Sequence, residues 1–381
     1  MRFLIAIFTV FLLYSCSDTF SDTDFILKGQ KQITFHKIRI TDSLRINAAS
    51  MSLDGRWGIH GDRLFYVDNH QVPVKYFDTL GDFIERKLEH GRGPNELFGK
   101  LDLFCYTPEN EIIIIDGNDW SFYRFSADGK ELYHHQFLKE IRFNTSNWQN
   151  LLQHPEPENV MMYELEFEYR QFALFKDWMI IPIMTEHVSF NGFDVMAHPK
   201  EFYKRAYALG AFNRHTFFQE RFFGHYPPIY RKKMIPNFLH SCVATDGQYL
   251  YVGYEADPLV YAYDDRLESA FAFGFEGTGM KNNYPQTSSV DEAVTKSKEH
   301  RQKYDHYGAL QYITPYLFRS YTASGTVRLQ VYENTNLTGE LNTGRKEFEL
   351  MGYIEPYFYA CVACDIDNEE YRIIKFKMES I

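Results

Sequence analysis

Hydrophobic and polar positions along the chain fall into short runs that return at a fixed distance. Leu64-Phe65-Tyr66-Val67-Asp68 is an apolar run closed by Asp, followed by Lys75-Tyr76-Phe77-Asp78 and then by Leu80-Gly81-Asp82-Phe83-Ile84. A shift of 48 residues (Leu64 to Ile112) brings the design back: Ile112-Ile113-Ile114-Ile115-Asp116, Tyr123-Arg124-Phe125-Ser126, and Asp128-Gly129-Lys130-Glu131-Leu132. β-Branched and aromatic runs bounded by Gly and Asp turns predict strands. A unit of short strands repeating at this distance predicts a repeat architecture.

The pattern predicts four more strand pairs. They are Trp178–Ile183 with Tyr207–Asn213, Tyr249–Val252 with Val260–Asp264, Leu317–Tyr321 with Val327–Tyr332, and Tyr357–Val362 with Tyr371–Phe376. Thr245-Asp246-Gly247-Gln248 supplies an Asp-Gly turn before the second of these. Six such units read as an all-β, six-bladed β-propeller over residues 31–381. The alternating run Ile33-Thr34-Phe35-His36-Lys37-Ile38-Arg39-Ile40 predicts a strand that completes the last blade and closes the ring. Two stretches break the rhythm, about 137–171 and 277–308, and in repeat folds such insertions map to loops that often carry the binding face. The second contains the one expected helix, announced by a capping box of Ser289 and Glu292.

The N-terminus changes the picture. Met1-Arg2 precedes an apolar run, Phe3 to Tyr14, that is too short to span a bilayer, so residues 1–15 read as a signal peptide. Leu13-Tyr14-Ser15-Cys16 resembles the lipobox of bacterial lipoproteins, which implies lipidation of Cys16. Residues 16–30 would then be a polar tether holding the domain off the membrane, with the outer membrane, on its periplasmic or its surface face, as the expected address. A formal net charge of −11 over 381 residues speaks against nucleic acid as a partner.

Few residues promise chemistry. The chain has no phosphate loop, no nucleophile elbow and no zinc-helix motif, and no cofactor or metal is expected. His134 and His135 are adjacent in an expected strand, so their rings face opposite ways. Cys361 and Cys364 stand in a strand running into a turn, where buried thiols, a disulfide or a redox pair are all open readings. Asp116-Gly117-Asn118-Asp119 reads as an Asx-type turn in preference to a calcium loop. The best binding candidates are Phe222, Phe223, Tyr226, Tyr230 and Arg231, an aromatic and basic stretch able to stack on sugar rings or hold an anionic ligand.

Gly81-Asp82-Phe83-Ile84-Glu85, leading into His90-Gly91-Arg92-Gly93-Pro94-Asn95-Glu96-Leu97, resembles the signature of six-bladed propeller lipoproteins of Bacteroidetes, the TolB-like, six-blade propeller-like group. The sharp part of the resemblance covers residues 78–129, and Asn95 departs from the Gly common there. It implies a fold and an envelope address and carries no catalytic residues. Gly91, Arg92, Gly93, Pro94 and Glu96 also make sense as a structural corner, with Glu96 accepting hydrogen bonds from the turn's own amides. The expected function is a binding or scaffold module whose partner is an envelope protein or a small ligand such as a glycan. The alternative is a metal-dependent, lactonase-like hydrolase, which would draw its ligands from positions such as Asp68, Asp116 and Glu255.

Overall fold

The computed structural model describes residues 25–380 apart from 48–50, 53, 71–72, 92, 94–95, 98, 117–120, 137–144, 186, 194–198 and 366. Cys16, Arg92 and Pro94 therefore lie outside the described residues, as do Gly117, Asn118 and Asp119.

All six expected strand pairs form adjacent antiparallel strands. Leu64 faces Phe77, Ile112 faces Phe125, Trp178 faces Asn213, Leu250 faces Tyr263, Tyr316 faces Glu333, and Phe358 faces Phe376. Each pair sits in the middle of an up-and-down run of four strands. The runs span 55–87, 103–136, 173–225, 241–273 and 307–345, with 349–380 as the last. The first strands of the runs share one axial cavity of ≈ 650 Å³, walled by Trp57, Phe104, Ala173, Val243, Gln311 and Met351 among others. The arrangement is an all-β, propeller-like fold.

Two features differ from the sequence reading. First, the strands do not separate into six independent sheets. The N-terminal strand β2 (Lys31–Asn47) is 17 residues long, about three times the usual length. Its second half pairs antiparallel with Glu370–Ser380, which completes the last run as expected. Its first half pairs parallel with Asn336–Arg345 of the run before, so two runs fuse into one eight-stranded sheet. Second, the described residues hold four α-helices instead of one: α1 (Thr145–Gln153), α2 (Pro199–Arg205), α3 (Pro228–Lys232) and α4 (Val290–Lys303). Helix α4 is the expected one, and the Ser289 hydroxyl accepts from the Glu292 amide at 3.1 Å. The other three have at most nine residues, too few turns for a helical period to stand out against the strand pattern.

A short strand β1 (Ile26–Leu27) runs ahead of β2 and adds to the outer edge of 241–273, parallel to Ser269–Phe273. The N-terminal chain thus straps three consecutive runs before entering its own. The core is apolar and aromatic. Ile112–Ile115 are at most 1% exposed, each contributing about 1.5–3 kcal/mol of burial. Two buried tyrosine hydroxyls, those of Tyr66 and Tyr371, meet at 2.8 Å over the Ser52 carbonyl.

Candidate functional site

The aromatic and basic stretch forms the outermost strand of the third run and the connection that follows it. Alternation along Gln219–His225 sends Phe222 and Phe223 to opposite faces. Pro228 then opens α3, where its missing amide costs nothing. Phe222, Phe223, Tyr226 and Arg231 line a groove of ≈ 830 Å³ between the third and fourth runs. Across it stand Tyr261 and Tyr263, with Phe25 packed edge-on against both at 5.0 and 5.3 Å. Lys204 and Arg221 add cationic side chains to the lining, against Asp257 and Glu268. Burial pulls the Arg231 guanidinium below its ordinary pKa. Tyr230 does not line the groove. It is 1% exposed, its hydroxyl donates to the Phe238 carbonyl at 2.6 Å and accepts from the Ala256 amide at 3.2 Å, and it is a core residue. Its position one helical turn past Tyr226 and Pro227 turns it inward.

A second constellation was not legible in the sequence. The tail of the first insert (Glu166, Glu168, Tyr169) and the helix of the second (Arg301 on α4) meet at Glu255, which follows the second strand of the fourth run. The Glu255 side chain is fully buried. It accepts from Arg301 at 2.7 and 3.2 Å, from the Tyr169 hydroxyl at 2.6 Å and from the His240 amide at 3.3 Å. Arg301 also reaches Glu168 at 2.8 Å, and His240 pairs with Glu166 at 3.0 Å. Burial works against the charge on Glu255, but His240 and Arg301 outweigh it and hold the carboxyl below its ordinary range. Burial likewise opposes charge on His240, yet Glu255 and Glu166 push it up to about 9. The result is an ionic latch that ties both inserts to the end of a central strand.

The carboxylates at the ends of the second strands share a structural task. Asp68 accepts from the Ser52 amide at 2.6 Å, Asp116 from the Lys100 amide at 3.1 Å, and Glu255 from the His240 amide. In each case the acid holds the chain just before the first strand of its own run. Among the described residues no group of three or more His, Cys, Asp or Glu side chains is placed to hold a metal ion.

The remaining motifs are placed as follows. Gly93 donates its amide to the Glu96 carboxylate at 2.7 Å, and Gly91 donates to the Leu97 carbonyl at 3.0 Å. A Cβ on Gly91 would lie 1.9 Å from a Glu96 oxygen, so any side chain there would displace the carboxylate that holds the turn. His134 stacks on Tyr123 at 4.2 Å while His135 packs on Phe218 at 4.7 Å, from opposite faces of the strand. Cys105, Cys242, Cys361 and Cys364 are free thiols. No helix among the described residues is long and apolar enough to cross a membrane.

No family model matches the chain, and no curated protein matches it. Its likenesses are to solved structures. A member of the DUF4221 family from Bacteroides vulgatus superposes with a TM-score of 0.64 at 12% identity, covering 92% of this chain and 100% of that one. A Bacteroides fragilis protein named "Putative exported protein" follows with a TM-score of 0.53 at 13% identity, covering 93% and 99%. At these identities the likeness is one of fold.

Proposed function

We propose that this protein is a lipid-anchored cell-envelope propeller of six blades that acts as a binding module through the groove between its third and fourth runs. Counting six treats each half of the eight-stranded sheet as a blade of its own, in keeping with the TolB-like resemblance and with six first strands around one axial cavity. The lipobox at Cys16 and the exported Bacteroides neighbour support the envelope address. The observation that carries the binding role is the groove itself. A cavity of ≈ 830 Å³ that brings seven Phe and Tyr rings together with Lys204, Arg221 and Arg231 suits a ligand with flat apolar faces and negative charge, such as an acidic glycan or an acidic segment of an envelope protein. The anchor would also orient the module. Because β1 runs parallel to Ser269–Phe273, the tether enters at the opposite end of that sheet from the 277–308 insert. Phe25 lies nine positions after Cys16, a reach of about 30 Å at most, so the inserts would be presented away from the membrane.

The hydrolase alternative needs Asp68, Asp116 and Glu255 for a ligand, and all three are engaged in holding backbone. The test is binding of the full-length lipoprotein, in detergent, to a panel of acidic and neutral oligosaccharides. Parallel metabolic labelling with an alkyne fatty acid would follow lipidation of the wild type and of Cys16→Ser. The reading expects labelling that depends on Cys16, and acidic-glycan binding that Phe222→Ala and Arg231→Ala reduce. Binding indifferent to both groove substitutions, or an unlabelled wild type, would overturn the corresponding half.

A further inference from the structure

The N-terminal strap is built into the wall of the groove between the third and fourth runs. Phe25 and Leu27 both line it, whereas Ile26 between them does not, as alternation along an extended chain requires. The Phe25 ring stands edge-on to Tyr261 and Tyr263. Beyond that ring the strap is lightly held. β1 pairs at two positions, Ile26 with Phe271 and Leu27 with Ala272, and the Lys28 amide donates to the Ala272 carbonyl at 2.8 Å. Leu27 is 70% exposed and Ile26 67%, so neither apolar side chain adds much burial to hold the strap down.

The strap has a sharp inner end. Gly29 takes a φ of 94° and leaves no room for a Cβ beside the Thr335 carbonyl. From Gln30 on the chain is locked: the Gln30 amide donates to Asn336 Oδ1 at 2.9 Å, and the Gln30 carbonyl accepts from the Leu337 amide at 2.9 Å. Residues 25–28 therefore form a unit that can open without breaking any strand pair of the six runs. A segment with so little buried apolar surface opens at a small fraction of the cost of global unfolding. A ligand seated in the groove covers the exposed flank of Leu27 and the Phe25 ring, and so supplies the burial that the strap lacks by itself.

We propose that an acidic glycan bound in this groove clamps the strap onto the fourth run, so that occupancy of the groove sets the free length of the tether. The inference rests on the groove reading above and adds Phe25 and Leu27 to its binding residues. A ligand that gains by touching the docked strap stabilises docking by the same factor. Covering the Leu27 side chain is worth about five- to tenfold in affinity. With the strap docked, the domain is fixed from Phe25; with it released, from Gln30, fourteen positions after Cys16 and a reach of about 50 Å. Binding thus takes five residues out of the free tether (30 − 25).

The full-length lipoprotein in detergent would be titrated with tetragalacturonate and with hyaluronan and chondroitin sulfate tetrasaccharides, with backbone amide exchange over 25–28 followed by mass spectrometry. Leu27→Ala and Ile26→Ala both replace exposed side chains, so both should unfold like the wild type. We expect a saturating acidic tetrasaccharide to slow exchange over 25–28 about five- to tenfold. Leu27→Ala should weaken binding by a comparable factor, and Ile26→Ala, which does not line the groove, should bind as the wild type does. Binding by none of the tetrasaccharides, or binding that Phe222→Ala leaves unchanged, would overturn the groove reading and this inference with it. Binding that Phe222→Ala weakens, but with exchange over 25–28 unchanged or faster, with full affinity in Leu27→Ala, or with an equal loss in Ile26→Ala, would overturn the clamp alone.

Discussion

Replacing Glu255 by Ala should be among the most damaging single changes in this chain, and its size can be worked from the latch. The wild-type carboxylate is fully buried and accepts four hydrogen bonds, two from Arg301, one from Tyr169 and one from the His240 amide. Removing one partner of a buried ion pair costs about 3–5 kcal/mol, because the other charge stays behind. Two facts pull this estimate to the lower end. Arg301 is 23% exposed and keeps Glu168, and His240 keeps Glu166. The expected loss is therefore about 3 kcal/mol for Glu255→Ala. Glu255→Gln keeps a carbonyl acceptor and the shape, and should lose roughly half as much. Urea unfolding followed by intrinsic fluorescence would measure both, compared at an unchanged m-value. NMR titration supplies a second reading: in Glu255→Ala the His240 pKa should fall from about 9 toward the ordinary value. A loss under about 1 kcal/mol, or a His240 titration that does not move, would refute the latch.

The other predictions follow from the same geometry. Stability should depend on pH in two directions. Glu255, held below its ordinary range, contributes above the unfolded carboxyl pKa of 4.5 and loses its contribution as acid passes through the folded value. His240, raised from 6.5 to about 9, contributes fully below 6.5 and less as the pH climbs to 9. The latch should thus be tightest between pH 4.5 and 6.5, and a denaturation midpoint rising from pH 7 to 9 would contradict it. Arg319 is wholly buried, donates to the carbonyls of Tyr254, Asp257 and Pro258, and stacks on Tyr307 at 3.9 Å. Arg319→Lys should cost about 2–4 kcal/mol in urea unfolding, since an ammonium cannot reproduce the fork; a near-neutral result would show the charge alone matters. Cys242 is 2% exposed and burial pushes its thiol up to about 12. It should stay unmodified by Ellman's reagent at pH 8 until the protein is unfolded, and fast native labelling would count against its burial. Phe25→Ala, which removes two edge-on ring contacts, should lower the unfolding free energy by about 1–2 kcal/mol, read from the urea midpoint at an unchanged m-value.

Strand pairing was legible in this chain because its signal is local. A run such as Ile112–Ile115, buried on both sides, announces itself by composition alone, and Asp128-Gly129 and Asp246-Gly247 mark two of the reversals. What joins the runs is not local. Nothing in Lys31–Lys37 distinguishes a strand that serves one sheet from a strand that bridges two, since that depends on 17 residues of backbone meeting two outer edges more than 300 residues later in the chain. Groove and core residues are likewise alike in sequence. Tyr226 and Tyr230 are four apart with similar neighbours, yet one lines the groove and the other is locked against Phe238 and Ala256.

The latch makes the same point for charge. Glu166, Glu168, His240, Glu255 and Arg301 come from four separate connections and share no spacing a motif could express. Both inserts were singled out by their break in rhythm, but only the fold shows that they converge, and the convergence gives them a common task. Arg301 on α4 holds Glu168 and Glu255 together, and Tyr169 donates to the same carboxylate. Arg301→Ala should therefore loosen both inserts at once, read as faster limited proteolysis within 137–171 and within 277–308 than in the wild type. Unchanged proteolysis of either insert would show that it is held in place without the latch.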